Sequence, residues 1–221
     1  MEAATARRST RVPAAAKRPR GRPRKTLDER DDGNRRGALI LGAARLFRRK
    51  GFDATSTRDI AAAAGMQSGS PFYHFKSKQA LLFAVMEEGM RNAVERQRQA
   101  ASAGGLPALA PAAQLRLLVR NHFEVLLGPD SDYIPVMLYE ARSITARQRA
   151  ALAQLRSEYE GAWDPVLRAL HACGRLRTDV KLARLMIFGA LNWSVQWYDR
   201  RKEATLDDLT QAALALFIGE S

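Results

Sequence analysis

Six residues within a run of seven, Ser68, Gly69, Ser70, Phe72, Tyr73 and His74, combine hydroxyls, a glycine and aromatic rings with polar edges. A helix meant only for packing would show an apolar stripe here. Ser and Tyr hydroxyls bond phosphates or base edges, Gly69 permits close approach, and Phe72 or Pro71 can touch a thymine methyl. Gln67 stands just ahead of them, and Thr57 and Arg58 open the preceding helix. All are assigned to one DNA-contacting surface. The alternative, a polar surface turn, fits poorly between two helices at this spacing. Ser77 and Lys78 open the next helix, where free backbone N–H groups and a Lys make a natural phosphate site. A simple helix cap at the same place is compatible with that reading. Pro71 is tolerable only in the first turn of its helix, so Ser68 is the expected N-cap. Ser70 precedes the proline and is pushed from helical angles, so this helix is expected to start irregularly.

Other chemistry is absent from the sequence. His74, His122 and His171 are scattered, and there is no Cys/His cluster, serine-centred elbow or glycine-rich phosphate loop. The chain is therefore expected not to be an enzyme, and no cofactor or metal site is expected. Its one cysteine, Cys173, lies on an apolar stretch and reads as a buried structural thiol.

The charge is uneven. Of a formal net charge of +13, the first 25 residues carry nine Lys/Arg and one acid. A basic arm on a milder body suggests a polyanionic partner. Within the arm, Pro19-Arg20-Gly21-Arg22-Pro23 is flanked by Lys17-Arg18 and Arg24-Lys25. The run resembles an AT-hook. Gly21 lets the backbone lie on a minor-groove floor, Arg20, Gly21, Arg22 and Arg24 follow the groove, and the prolines keep the arm extended. The competing reading is a basic tail that touches phosphates only.

These residues need helices to hold them. Residues 1–33 have almost no large apolar side chains and are expected to be a disordered arm. Ile40, Ala44 and Phe47 recur at helical spacing, with Gly51 as the stop. Ser56 or Thr57 caps a second helix, with Asp59 in its first turn. Gly65 supplies a turn, a third helix covers roughly 68–75, and Ser77 caps a fourth from Lys78 to about Gln99. Residues 100–111 read as a small-residue hinge. Further helices are expected over 112–127, 133–143, from Thr145 to about Cys173, from Asp179 to about Tyr198, and over 206–218. No β-alternation stands out, so the fold class is all-α. The expected division is an arm over 1–33, a helix-turn-helix domain over 34–94 and a helical ligand-binding and dimerisation domain over 95–221. With 221 residues, 46% of them apolar, and no run of membrane-span length, the protein is expected to be cytoplasmic and associated with the nucleoid.

Residues 40–87 carry a collinear pattern: Ala43-Ala44, Leu46-Phe47, Gly51-Phe52, Thr55, Asp59-Ile60-Ala61, Ala64-Gly65, Gly69-Ser70, Phe72, His74-Phe75, Ser77-Lys78 and Leu81. It resembles the DNA-binding domain of the TetR family of transcriptional regulators. Gln67 stands where that family usually has a Ser cap, Pro71 where Leu is common, and alanines where polar residues often face solvent in helix two. These departures bear on base preference. The resemblance implies an all-helical homodimer whose three N-terminal helices bind a palindromic operator in the major groove. It also implies a C-terminal domain that dimerises and holds a small-molecule pocket, with ligand binding releasing the operator.

The C-terminal half is less specific. Leu209, Ala212, Ala213 and Leu216 form one helical face, and Leu185, Phe188, Gly189 and Asn192 another. By the resemblance these faces belong to a dimer bundle, although packing within one subunit is the alternative. Residues 139–145, 156–163, 173–179 and 189–200 resemble a branch that represses fatty-acid, sterol or aromatic-acid degradation and senses acyl-CoA thioesters. On that resemblance Tyr139, Trp193 and Trp197 are expected as pocket walls and Arg142 as the cation, against Trp residues that only pack. The leading expectation is a repressor released from its operator by a ligand. The competing classes are an architectural protein coating A·T-rich DNA and a multidrug-type sensor.

Overall fold

The computed structural model describes residues 27–66, 71–129, 131–202 and 204–219. Among these, every regular element is helical. They are α1 (Leu27–Lys50), α2 (Thr57–Ala63), α3 (Pro71–His74), α4 (Lys78–Ala103), α5 (Pro111–Leu127), α6 (Tyr133–Glu140), α7 (Ala146–Gly161), α8 (Asp164–Ala172), α9 (Val180–Trp193) and α10 (Leu206–Ile218). Short 3₁₀ turns follow α4, α6 and α9.

Local chemistry sets most boundaries. Gly51 ends α1 at φ 83°, a conformation that penalises any other residue. Ser56 caps α2 through a reciprocal box with Asp59: Ser56 Oγ accepts from Asp59 N, and Asp59 Oδ2 accepts from Ser56 N, both at 3.1 Å. Thr145 with Gln148, and Thr205 with Asp208, form the same box at α7 and α10.

Four expectations shift. Cys173, read as a buried structural thiol, is exposed just past the end of α8. The first helix begins at Leu27, ahead of the expected onset near Asn34. The expected hinge at 100–111 is largely structured, since α4 runs to Ala103 and a 3₁₀ turn covers Leu106–Ala108. The single helix expected from Thr145 to Cys173 is two. Pro165 lies in the first turn of α8, where its missing N–H costs nothing. Continued helix would set its ring against the carbonyl of Gly161, so α7 stops there.

Leu39, Ala43, Ala44 and Phe47 of α1 form a small core with Ile60 of α2, Phe75 just after α3, and Leu82 and Val85 at the start of α4. The rest of α4 runs into a larger core around α5, which packs against α4, α6, α8, α9 and α10. Gln97 ties this core together. Its amide donates to the carbonyl of Tyr159 and accepts from the indole of Trp163, both at 2.9 Å, and all three residues are buried. At Gly89, an added Cβ would sit 2.6 Å from Cβ of Tyr133, so α6 lies close against α4 only because this residue is glycine.

Candidate nucleic-acid interface and effector cavity

α2 and α3 sit on opposite sides of the Gly65 turn, at φ 68°. Met66 N returns to Ala61 O at 2.8 Å and closes the turn. α3 then presents Tyr73, which is 84% exposed, with its ring in an edge-to-face contact with His74, centroids 5.3 Å apart. Arg58 is exposed at the start of α2, and Thr57 beside it is half-buried. Phe72 lies within α3. Gln67, Ser68, Gly69 and Ser70, with the expected Ser68 cap, lie outside the described residues, as do Arg20, Gly21, Arg22 and Arg24 of the arm.

Lys78 differs from its expected use. Its ammonium donates to the carbonyls of Phe52 at 2.8 Å and Thr55 at 2.9 Å, and sits 4.3 Å from the centre of the Phe52 ring. These carbonyls follow α1 and have no helical partner, so the lysine satisfies them and locks the α1–α2 loop to α4. Its charge is turned inward, away from a phosphate. Ser77 accepts from Ala80 N at 3.0 Å and is the simple cap of α4.

The larger domain encloses a cavity of ≈ 600 Å³. Met86 and Met90 of α4, Met137 and Leu138 of α6, and Leu152 of α7 give it apolar walls. Arg149 and Arg156, one helical face of α7 apart by seven residues, stand at its exposed rim. Arg149 donates to the carbonyl of Ile144 at 2.6 Å, and Arg156 lies 3.7 Å from Glu160.

Deeper in, His122 of α5, Tyr159 of α7, and Phe188 and Asn192 of α9 line the same space. His122 is 4% exposed, and its Nδ1 lies 3.0 Å from the Tyr159 hydroxyl. Phe188 and Trp163 present their rings to the imidazole edge-on, at 5.3 and 6.0 Å. Burial drives the His122 pKa down to about 4, although Asn192 approaches closely enough to favour the charged form. The ring is therefore neutral at pH 7. Burial pushes the Tyr159 hydroxyl pKa up, so it keeps its proton. Nε2 of His122 makes no hydrogen bond. A buried polar group left so costs about 1–3 kcal/mol.

None of Tyr139, Arg142, Trp193 and Trp197 lines this cavity. Tyr139 follows the cavity residue Leu138 and turns about 100° away from it along α6. Arg142 is exposed in the 3₁₀ turn. Trp193 and Trp197 are 64% and 56% exposed, because α9 ends at Trp193 and its inward face is carried by Ile187, Phe188 and Leu191. Phe188 and Asn192, assigned from sequence to a dimer face, line the cavity instead, and Ala213 is buried within the subunit. Leu185, Gly189, Ala212 and Leu216 of those faces are exposed. Together with Leu182, Met186 and the two tryptophans they make an uncovered apolar surface on α9 and α10. The cavity cations were missed in the sequence, although Arg149, Leu152 and Arg156 recur at helical spacing among small apolar residues.

α6 joins the two regions. Its outer side holds the head: Arg48 of α1 donates to Asp132 at 3.0 Å, Phe52 N donates to Glu140 Oε1 at 2.9 Å, and Gln79 donates to the Ser143 carbonyl at 2.8 Å. Its inner side supplies cavity wall.

Comparison with known proteins agrees with this architecture. Residues 39–85 match the family model of bacterial regulatory proteins of the tetR family, and residues 108–219 match the tetracyclin repressor-like C-terminal domain. The chain belongs to the TetR family. The HTH-type transcriptional repressor KstR2 of Rhodococcus jostii strain RHA1 is 30% identical over 196 residues, 86% of this chain and 93% of that protein. The fatty acid metabolism regulator protein of Bacillus subtilis strain 168 is 26% identical, over 81% of this chain and 92% of that protein. The solved structure of superantigen PfiT superposes with a TM-score of 0.69 at 36% identity, covering 85% of this chain and 97% of that one. The chain is thus a DNA-binding transcriptional regulator of the TetR family. Among the described residues, no helix is long and apolar enough to cross a membrane.

Proposed function

We propose that this TetR-family repressor works as a homodimer at the nucleoid and leaves its operator when an acyl-CoA thioester fills the α4–α9 cavity. The observation that carries this reading is an apolar space of ≈ 600 Å³ with two arginines at its mouth. That volume suits a drug-sized apolar body. A cationic rim suits an anionic end left outside, where guanidinium groups pair with phosphate. The name of the Bacillus subtilis relative, a fatty acid metabolism regulator, favours the same ligand class. The uncovered face of α9 and α10 supports pairing with a second copy. Two-fold symmetry would then set the two heads on half-sites about one helical turn (~34 Å) or a multiple apart. Tyr73, Thr57, Arg58 and the run from Gln67 to His74 would meet the major groove, and the basic arm would enter an adjacent minor groove.

The test is operator release titrated with a panel of acyl-CoAs and their free acids. Release by thioesters at concentrations at least about tenfold below the matching acids is expected. The double variant Arg149→Ala, Arg156→Ala should bring the two classes together. Release by neutral hydrophobic compounds, with none by any thioester, would make this a multidrug-type sensor.

A further inference from the structure

His122 is the one strongly buried polar side chain that lines the cavity with a nitrogen left unbonded. Which atom carries its proton decides what that nitrogen can recognise. If Nδ1–H donated to Tyr159, the buried tyrosine proton would have no acceptor, and Nε2 would be a bare lone pair. If the tyrosine donates to Nδ1, both needs are met across the 3.0 Å contact and only an Nε2–H remains over. The second arrangement strands fewer groups and is the favoured one. The residual group is therefore a hydrogen-bond donor. The amide of Asn192 lines the cavity beside it: its oxygen is the side that favours a protonated imidazole, and its NH2 group is left as a second donor for the cavity. The rings of Phe188, Trp163 and Tyr159 surround the imidazole, so nothing but Asn192 or a bound molecule can answer it.

We infer that His122 and Asn192 form a carbonyl-recognising floor in this otherwise apolar cavity, and that the effector places a carbonyl oxygen there. The inference rests on the cavity being the effector site. A neutral oxygen acceptor fits best. A carboxylate would enter a site that keeps its histidine uncharged, and an unsubstituted hydrocarbon would leave the donor unbonded. The oxygen has two possible sources: the thioester's own carbonyl, or an oxo group on the apolar body.

The experiment compares matched ligands by isothermal calorimetry on the full-length protein. One pair is an acyl-CoA and the S-alkyl-CoA thioether that lacks its carbonyl. The second is the same acyl-CoA with and without a ring ketone. The third, free of CoA, is a bicyclic ketone and its parent hydrocarbon. The wild type should favour the carbonyl-bearing member of at least one pair by about tenfold. His122→Leu should reduce that ratio to about one, and His122→Gln, which keeps an N–H donor, should restore part of it. Asn192→Leu, nearer the exposed side of α9, should lower the ratio and serves should the His122 variants not fold. The pair that discriminates names the source of the oxygen. Discrimination confined to the CoA-free pair, with no CoA derivative bound, upholds the floor and removes the acyl-CoA reading. Tight acyl-CoA binding with all ratios near one in the wild type, or ratios unchanged by His122→Leu and Asn192→Leu, overturns the floor and leaves the acyl-CoA reading standing.

Discussion

The DNA-binding head turns its polar chemistry outward, and the effector domain turns it inward. On the head, Tyr73 is 84% exposed and Arg58 is open to solvent, while the inward-facing Lys78 closes a loop. In the larger domain, His122 and Tyr159 are buried and the outer face of α9 is apolar. The partners explain the difference. A duplex meets its reader as a surface of fixed shape, so the reader must project side chains from a rigid three-helix frame. A small-molecule effector must be taken out of water, so groups that recognise it lie within the core and their cost is met by packing around them.

The comparison breaks most readily at Tyr73. Tyr73→Ala in both subunits should abolish operator binding, since each lost contact is worth roughly 1–3 kcal/mol and two are removed. Helicity by circular dichroism should not change, because the side chain is 84% exposed and lies outside the core. Near-wild-type affinity in a fluorescence-anisotropy titration would move the interface off α3.

The inward-facing region should instead respond to acid. His122 has its pKa lowered from 6.5 to about 4 by burial, so the unfolded chain takes up a proton first as pH falls. Stability from this group is fully present above pH ~6.5, declines as pH falls, and is lost by about pH 4, a total near ~3 kcal/mol. Urea unfolding of wild type and His122→Gln across that window isolates the term from the carboxylates. The difference between the two should shrink with falling pH, and a constant difference would mean that His122 is already solvated.

A smaller effect is expected from the arm. Removing residues 1–25 deletes nine cations. Each one that neutralises a phosphate contributes about 0.9 to the slope of log affinity against log salt. Truncation should weaken binding roughly tenfold near physiological salt, make the slope shallower, and reduce preference for A·T-rich flanks. Loss of affinity with an unchanged flank preference would make the arm a phosphate-binding tail and nothing more.

Legibility from sequence follows the same division. Caps, turn glycines and the helix-turn-helix spacing act within a few residues of each other, so Ser56, Gly65, Ser77 and the whole of α10 could be read from the chain. Lys78 could not, because its loop carbonyls lie more than twenty residues away in sequence. The cavity was misplaced for a related reason. A four-residue spacing put Trp193 and Trp197 on one face but could not say which face looked inward, and the residue beside each cavity position was chosen at Tyr139 and Trp193. His122 stands in the sequence as one of three scattered histidines with no cluster around it. Its significance depends on Tyr159, thirty-seven residues on, and on a lone nitrogen that only packing reveals. The Pro165 break is legible in the sequence itself, because a proline inside a helix clashes with the preceding turn.

The smallest expected effect tests whether the two regions are coupled where they touch. Phe52 N donates to Glu140 Oε1 at 2.9 Å, and Glu140 Oε2 also accepts from Ser143, so the carboxylate holds the start of the α1–α2 loop against the end of α6. The same helix supplies Met137 and Leu138 to the cavity. A ligand that displaces α6 can act on the operator only through contacts that differ between the bound and released states. Glu140→Ala removes one such contact. The operator-release midpoint should rise relative to the ligand Kd by about fivefold, near ~1 kcal/mol of coupling. Glu140→Gln, whose amide oxygen can still accept from Phe52 N, should lie between wild type and Glu140→Ala. Both constants come from one sample by following labelled operator and ligand heat in parallel. A ratio unchanged in Glu140→Ala would assign transmission to the Arg48–Asp132 and Gln79–Ser143 contacts, and Glu140 would then be a static brace between two regions that signal past it.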